Sequence, residues 1–304
     1  MDSLDEAVQR LRRGGVVAFP TETVYGLGAD ARNPAAVERI FATKGRPRNH
    51  PVIVHLAEPN QIWEWALETP TLRRQIGLLA RRFWPGPLTV IVPRHGSVPD
   101  AVTGGRNTVG LRIPAHPVAR ALLQRFGGGL AAPSANRFGR VSPTNAAHVR
   151  SEFAEQVYVL DGGDARVGVE STIVDLSCSP PALLRPGGVP QAELVAVLGP
   201  LGSSETPAPG TLPAHYAPRA RVLVSTAVDV DAARILASGR TVVILWAGPP
   251  EDHARRLYAE LRAADAAGAD VVVAEAPWPG GLGEAIADRL ARAAAGSPVA
   301  DGSE

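Results

Sequence analysis

Two hydrophobic patterns alternate along the first two hundred residues. Short apolar runs are typical of buried strands, and the segments between them repeat apolar residues every three or four positions, as helices on a sheet do. The predicted strands are residues 16–19, 51–56, 88–92, 108–114, 130–135, 157–163, 171–176 and 182–187. These strands outnumber the helices, so simple β–α alternation does not fit. The pattern predicts an α/β fold with a sheet of mixed strand direction.

Capping residues mark several helix ends in this region. Asn33-Pro34 opens one helix as N-cap and first-turn proline, and Gly45 ends it. Lys44 is therefore predicted to lie at a helix C-terminus. Ser142-Pro143 is predicted to open a later helix. The other predicted helices are one that ends at Gly14-Gly15 and those at residues 71–84 and 117–126.

The last third of the chain has a more regular pattern. Strands at 221–225, 241–247 and 271–275 alternate with helices near 229–238, 250–266 and 281–295. This β–α repeat predicts a small three-stranded parallel domain of Rossmann-like type. No G-x-G-x-x-G follows its first strand, so the sequence does not predict a dinucleotide site there.

A proline-rich segment separates the two patterns. Five prolines fall within residues 200–218, which predicts an extended linker. His215 and Tyr216 are not needed in a passive tether. The linker is therefore predicted to lie over a cleft of the first domain, with static packing between the domains as the alternative. The predicted division is a first domain at 1–200, a linker at 201–218 and a second domain at 219–304.

Composition limits the class of protein. The chain has 304 residues, 45% hydrophobic and 20% charged, which is ordinary for a soluble protein of about two domains. No apolar run reaches the ~18 residues of a membrane span, and the acidic N-terminus is unlike a signal peptide. We expect a cytoplasmic protein that does not associate with membranes. The single cysteine, Cys178, argues against a disulfide framework or a multi-cysteine metal site.

The charge is unevenly distributed. Residues 1–200 carry 22 basic and 17 acidic side chains, an excess of five positive charges, whereas residues 201–304 carry 9 basic and 13 acidic ones, an excess of four negative charges. The positive excess is too small to predict a groove for a polyanion. It is compatible with a small anionic ligand in the first half.

Lys44 is the only lysine of the chain, and the other thirty basic residues are arginine. Because this chain otherwise uses arginine, the need for a solvent-exposed positive charge explains an arginine and does not explain the single lysine. Lysine is a compact point charge, and arginine is a planar fork. Lys44-x-Arg46 therefore predicts a phosphate site in which both kinds of cation take part. The alternatives are that these cations only cap the helix, or that one lysine survived by chance.

Three further clusters carry polar side chains at predicted strand ends. Residues 19–31 place Thr21 among other polar residues at a strand end, before two glycines, which predicts a ligand-facing loop; an ordinary glycine turn is the alternative. Ser134 and Asn136 are alternate residues leaving a strand, so both can face one side, or they form an Asx-type turn. The last cluster, residues 168–187, contains Ser171, Thr172 and Arg185.

The sequence contains no motif for covalent catalysis. It has no G-x-S-x-G elbow, no G-x-x-x-x-G-K-[ST] loop, and no H-x-x-x-H spacing among its seven histidines. If the protein acts on a nucleotide, we expect it to work by positioning and charge neutralisation.

Taken together, these motifs resemble a known family. "FPTETVYGLGADA", "KGRPRNHPVIVHL", "APSANRFGRVSPT", "GVESTIVDL" and "LLRPG" occur in the order and spacing of the YrdC-like domain of threonylcarbamoyl-AMP synthases. "PGTLPAHYAP" and the region after it resemble the long, two-domain form. The resemblance implies a YrdC-like twisted mixed sheet with helices, followed by a smaller, Rossmann-like three-layer α/β domain.

The resemblance also implies an activity and its partners. The family joins L-threonine, bicarbonate and ATP into L-threonylcarbamoyladenylate and releases pyrophosphate. A separate transferase complex then modifies adenosine 37 of tRNA, so binding of tRNA by this protein is not required. Mg²⁺ is expected with ATP, and no carboxylate cluster in the sequence identifies its ligands.

The family's site residues can be assigned to matching positions. The resemblance implies catalytic roles for Lys44 and Arg46. The implied ATP-binding residues are Lys44, Arg46, Arg48, Thr108, Ser134, Asn136, Ser142, Arg185, His215 and Tyr216. The implied threonine-binding residues are Thr21, His55, Arg112 and Ser171.

Two other functions compete with this interpretation. An RNA-binding or assembly factor would use the basic first domain, but its typical signature, clustered arginine with interleaved aromatics, is absent from a chain with 5% aromatic residues. A related enzyme that forms a carbamoyl adenylate from another amine is the second alternative. Pyrophosphate release with different amino acids distinguishes all three.

Overall fold

The first half of the chain forms one large sheet. A computed structural model describes residues 3–296. The strands of this half are β1 (Val17–Phe19), β2 (Gly26–Asp30), β3 (Ile53–His55), β4 (Leu88–Pro93), β5 (Thr108–Arg112), β6 (Leu130–Ala131), β7 (Tyr158–Val159), β8 (Thr172–Asp175) and β9 (Ala182–Arg185). Within the described residues they pair in the order β7-β1-β2-β6-β3-β5-β4-β8-β9.

The sheet is mixed, as the sequence predicted. Strand β1 pairs with β7 in parallel, and the pairs β3–β5 and β4–β8 are also parallel. The other neighbours run antiparallel. Polar residues at the ends of β3, β5 and β9 are consequently brought to one region of the sheet.

Helices cover this sheet. They are α1 (Ser3–Arg12), α2 (Pro34–Lys44), α3 (Pro70–Phe83), α4 (Asp100–Thr103), α5 (Pro117–Phe126), α6 (Ala146–Phe153) and α7 (Gln191–Leu198). Helix α2 has the predicted ends, because the Asn33 side chain accepts hydrogen bonds from two backbone N–H groups and Gly45 has a φ of 65°. Its apolar face, including Val37, Ile40 and Phe41, is buried.

Two local predictions were wrong. Residues 26–30 form strand β2 and not a loop, because Gly28 lets the strand lie against Phe19, whose ring would be 2.7 Å from an added Cβ. Helix α6 begins after Asn145, which caps it, and not at Ser142-Pro143. Helices α4 and α7 were not predicted, and the apolar residues of α7 are not confined to one face.

The C-terminal region forms the predicted parallel domain. Its elements are β10 (Arg221–Ser225), α8 (Val228–Ala237), β11 (Val242–Leu245), α9 (Pro250–Ala266), β12 (Val271–Glu275) and α10 (Gly283–Gly296). The strand order is β10-β12-β11, and both pairs are parallel. This confirms the predicted second fold. Residues 297–304 of the predicted domain lie outside the described residues.

The linker and the C-terminal domain pack directly against the first domain. One buried cluster combines Val24 and Val169 of the first domain with Tyr216 of the linker and Leu257 and Tyr258 of α9. The two domains therefore share apolar surface, and the linker lies inside that interface. Across residues 3–296, no helix is long and apolar enough to cross a membrane.

Candidate active site

A buried pocket lies between the first domain and the linker. The first domain contributes the β1–β2 loop, the end of α2, the ends of β3, β5 and β9, and the loops after β6 and before β8. The linker contributes Pro209, Gly210, His215 and Tyr216. The cavity has a volume of about 60 Å³, below the ~300 Å³ at the lower end of drug-sized ligand pockets. Linker residues form part of the boundary of this small cavity.

Lys44 lies at one end of the pocket and is buried. Its ammonium group donates to the backbone oxygen of Ser134 at 2.6 Å and to that of Asn136. Burial, followed by the nearby charge of Arg46, holds the pKa of Lys44 well below its usual value. The lysine therefore joins the end of α2 to the loop that carries Ser134 and Asn136.

Arg46 and Asn136 complete this cationic end. One Nη of Arg46 donates to the backbone oxygen of Pro51 at 2.9 Å, and burial lowers its pKa to about 10. The Asn136 amide donates to two backbone oxygens of its own loop, at 2.8 Å each. The structure thus brings Lys44, Arg46, Ser134 and Asn136 together, as the sequence predicted.

Thr21, His55, Arg112 and Ser171 form a second group of lining residues, which we call the hydroxyl-lined end. Arg112 does not present a free guanidinium, because Glu22 accepts from it at 2.6 Å and Thr23 accepts at 2.8 Å. The Ser171 hydroxyl shares a hydrogen bond of 2.8 Å with Thr89. Burial, followed by the charge of Arg112, lowers the pKa of His55 to about 3, so its ring is neutral.

The remaining predicted site residues divide into two groups. Arg185, His215 and Tyr216 line the pocket, and Arg185 donates to the linker at Pro209 O over 2.8 Å. The second group does not line the pocket. Arg48 is exposed and pairs with Glu38 at 2.8 Å. Thr108 lies at the opposite end of β5 from Arg112. Ser142 is buried behind the pocket wall. The assignment of these three residues to ATP stays a prediction that the pocket geometry does not favour.

Two buried carboxylates were not among the predicted site residues: Glu170 lines the pocket, and Glu22 contacts the pocket residue Arg112. Glu22 holds Arg112, and Glu170 accepts from Ser142 at 2.6 Å and from two side chains of the C-terminal domain. Both lie inside motifs that the sequence analysis quoted. The available signal was an acidic residue in an otherwise buried segment, which requires a buried partner.

Unpartnered polar atoms are concentrated in this pocket. Within residues 3–296, eight buried side-chain nitrogen or oxygen atoms have no hydrogen-bond partner, and five of them belong to residues of the pocket. They are Arg46 Nε, His55 Nδ1, Arg112 Nε, Asn136 Oδ1 and His215 Nδ1. Buried polar atoms are normally paired. The set contains donors and acceptors, as a ligand with both anionic and hydroxyl or amine groups requires.

The neutral state of His55 predicts a pH dependence of stability. The pKa of about 3 in the folded protein lies below the ~6.5 of an unfolded chain. The unfolded state therefore binds more protons between these values. The contribution of neutral His55 to the free energy of unfolding is complete above pH ~6.5. It is lost as the pH falls towards 3, at up to about 1.4 kcal/mol per pH unit.

Urea unfolding of the wild type and His55→Asn at pH 7 and 5 measures this effect. We expect the free energy of unfolding to fall less steeply with acidification in the variant. His95→Asn, at an exposed turn residue, is the control and should change little. Equal pH slopes for wild type and His55→Asn would show that His55 is not buried as a neutral ring.

Comparisons with known proteins agree with this geometry. A family model described as "Telomere recombination" matches residues 9–187, and one described as "Threonylcarbamoyl-AMP synthase, C-terminal domain" matches residues 189–295. The threonylcarbamoyl-AMP synthase of Pyrococcus abyssi is 41% identical over 313 residues, covering 93% of this chain and 91% of the relative. That of Bacillus subtilis is 37% identical over 326 residues, covering 97% and 93%.

A solved structure extends the similarity to the fold. The crystal structure of Pyrococcus abyssi Sua5 complexed with L-threonine matches with a TM-score of 0.91 and 40% identity. The match covers 96% of this chain and 94% of that one, so it includes the linker and both domains. With the two family models and the full-length relatives, this shows that the chain belongs to the threonylcarbamoyl-AMP synthase family, in its two-domain form.

Proposed function

We propose that this protein joins L-threonine, bicarbonate and ATP into L-threonylcarbamoyladenylate and releases pyrophosphate. The observation that carries the proposal is the pocket with a cationic end, a hydroxyl-lined end and five residues with an unpartnered buried polar atom. The relative whose structure is described as a complex with L-threonine has the same fold.

The two ends of the pocket suit the two larger substrates. Lys44 and Arg46 are placed to bind the phosphates of ATP, with the Asn136 oxygen as a neutral acceptor. Arg112 Nε is a buried donor that suits the threonine carboxylate. His55 Nδ1 has no partner and suits the threonine hydroxyl or amine as an acceptor.

The reaction follows from these placements. The threonine amine adds to carbon dioxide derived from bicarbonate, loses a proton and forms a carbamate. A carbamate oxygen then attacks the α-phosphorus of ATP, and the bond to the bridging oxygen of the β-phosphate breaks. The electron pair leaves with pyrophosphate. The carbamate and the triphosphate are both anionic, so the main task of the protein is to neutralise charge and hold the groups in line.

The residues of this site fit Mg²⁺ only as an ion that is bound to the nucleotide. The pocket carboxylate Glu170 is engaged with Ser142 and Arg289, and the neighbouring Glu22 is engaged with Arg112. No group of three or more potential metal ligands occurs among residues 3–296. We propose that the ion binds to phosphate oxygens and water, where it would neutralise the developing charge of pyrophosphate.

We further propose that the adenylate passes to a separate transferase that acts on tRNA. A carbamoyl phosphate anhydride is prone to hydrolysis, so a consumer must take it quickly. The RNA-binding alternative is not favoured, because the pocket and the comparisons both indicate a small-molecule enzyme.

A panel of amino acids tests the proposed function. The protein is incubated with MgATP, bicarbonate and each of the twenty amino acids, and pyrophosphate is measured. We expect release with threonine, dependent on bicarbonate. Equal release with several unrelated amino acids would indicate another carbamoyl-adenylate former. No release with any of them would contradict the proposal.

Threonine recognition predicts an order among its analogues. Valine has the shape of threonine without the hydroxyl, so it would leave a buried polar atom of the site unpaired, which sites of this kind reject strongly. Serine keeps the hydroxyl and lacks only the methyl group, worth roughly tenfold to two-hundredfold. We expect kcat/KM to fall from threonine to serine to valine. Equal values for valine and serine would contradict a site that reads the hydroxyl.

A further inference from the structure

Two buried side chains of the C-terminal domain contact Glu170, a residue of the pocket wall. Arg289 of α10 and Tyr258 of α9 are both almost fully buried. They donate to the same oxygen of Glu170, Arg289 Nε at 2.7 Å and Tyr258 Oη at 2.8 Å. Ser142 Oγ donates to the other oxygen at 2.6 Å. Glu170 immediately precedes Ser171, and both line the pocket.

Glu170 presents an electrostatic problem for a phosphate site. Burial alone would raise the pKa of this carboxyl, but Arg289 and then Arg185 outweigh it and hold the pKa at about 2. The group is therefore ionised under all ordinary conditions. An uncompensated carboxylate in the pocket wall would repel a triphosphate.

Arg289 supplies the compensating charge. Its second carboxylate partner, Asp288, is itself bonded to Arg292 at 2.9 Å. Arg289 also donates to Pro186 O at 3.0 Å, which fixes the guanidinium against the exit of β9. Its hydrogen bonds are therefore made to Glu170, Asp288 and Pro186, and of these three residues Glu170 alone lines the pocket.

The same two side chains hold the linker. The Arg289 guanidinium carbon lies 5.1 Å from the centroid of the Tyr216 ring, and the Tyr258 ring stacks on Tyr216 at 5.7 Å with an angle of 25°. Tyr216 has a φ of 60°, a conformation that costs energy for a tyrosine and persists only when its surroundings impose it. Arg289 and Tyr258 thus contact both Tyr216 and Glu170, two residues that line the pocket.

We propose that Arg289 and Tyr258 are positioning residues of the ATP site, through which the C-terminal domain sets the affinity for ATP. Arg289 neutralises Glu170, and both side chains fix Tyr216 at the pocket wall. Neither touches the reacting atoms. The inference rests on the proposed function only in taking ATP as the ligand of the cationic end.

Direct binding measurements on the full chain test this inference. Calorimetry with a non-hydrolysable ATP analogue and Mg²⁺, and separately with threonine, requires no turnover. Arg289→Met should weaken analogue binding by roughly tenfold or more, since it removes a charge-assisted partner of a buried carboxylate. Threonine affinity should stay within about threefold, because the hydroxyl-lined end is not in contact with Arg289.

Whether the affinity for the ATP analogue rises or falls in further variants shows if Arg289 acts by neutralising Glu170 or only by packing. Glu170→Gln removes the negative charge, so it should bind the analogue at least as tightly as the wild type. Arg289→Met combined with Glu170→Gln should regain most of the affinity lost in Arg289→Met. Tyr258→Phe removes one hydrogen bond to Glu170 and keeps the ring on Tyr216, so we expect a smaller loss, roughly threefold to tenfold.

An apolar substitution in the shared interface is the control for packing. Leu261 of α9 is buried in the cluster that joins the two domains. Leu261→Ala should lower the unfolding temperature. Its affinities for both ligands should stay within about threefold of the wild type, because Leu261 carries no charge and does not line the pocket.

Several results would overturn the inference. Equal weakening of both ligands by Arg289→Met, or a double variant no better than Arg289→Met, would mean that Arg289 only packs the domains together. If Arg289→Met does not fold, the double variant decides, because it must bind the analogue within about threefold of Glu170→Gln. A wild type that binds the analogue but makes no adenylate would refute the proposed function and leave this inference standing.

Discussion

Lys44→Arg is expected to lower the rate of pyrophosphate release by roughly tenfold to a hundredfold, although it keeps the positive charge. The Lys44 ammonium lies in a buried site and donates to the backbone oxygens of Ser134 and Asn136. A guanidinium is larger and planar, so it cannot replace a compact ammonium between two converging carbonyl groups. It would displace the loop that carries Asn136 or hold its own charge away from the phosphates.

The measurement is pyrophosphate release at saturating threonine, bicarbonate and MgATP, with the unfolding temperature as a check of folding. Arg74→Lys, on the exposed side of α3, is the control for exchanging the two cations and should stay within about twofold of the wild type. Activity within twofold of the wild type for Lys44→Arg would mean that the chain's single lysine is accidental.

Gly210→Ala should detach the linker from the pocket and lower the yield of intact adenylate by roughly tenfold. Gly210 has a φ of 74°, and a Cβ there would lie 2.1 Å from Tyr216 Oη and 2.9 Å from Arg185 Nη1. The methyl group therefore collides with two residues of the pocket. Displacing the linker admits water, which hydrolyses the adenylate.

The informative quantity is the ratio of adenylate to pyrophosphate, because an open pocket still allows some ATP cleavage. Gly268→Ala is the matched control: Gly268 has a similar φ of 70°, and an added Cβ has no atom within 4 Å. Gly268→Ala therefore introduces the same kind of backbone strain without a steric clash. An unchanged ratio in Gly210→Ala would show that the linker is a tether and not a cover.

Elements with strong apolar patterns could be predicted from the sequence. Strand β4 and the three strands of the C-terminal domain are runs of Val, Leu and Ile, and α2 carries its own start and stop residues. Strand β2 was missed because Gly26, Gly28 and Ala29 lack the side chains that mark a strand. Its position depends on contact with Phe19, which no local pattern reveals.

The pocket was predictable to the extent that its residues lie in recognisable motifs. Lys44, Arg46, Ser134 and Asn136 come from two motifs, and the sheet brings them into contact. The ion pairs were not predictable, because Glu22 pairs with Arg112 across 90 residues, and Glu170 with Arg289 across 119. The first pair depends on the tertiary fold of the first domain, and the second depends on how the two domains pack. The exposed position of Arg48 likewise follows from its pairing with Glu38 on α2.

Transfer of carbon from bicarbonate into a nucleotide product tests the central claim most directly. The protein is incubated with threonine, MgATP and [¹³C]bicarbonate. The nucleotides are then separated, and their masses are measured by mass spectrometry. The account predicts an adenylate that contains threonine and one labelled carbon, formed in equal amount with pyrophosphate before it hydrolyses. A threonine adenylate without the label, or AMP formation that does not require bicarbonate, would contradict it.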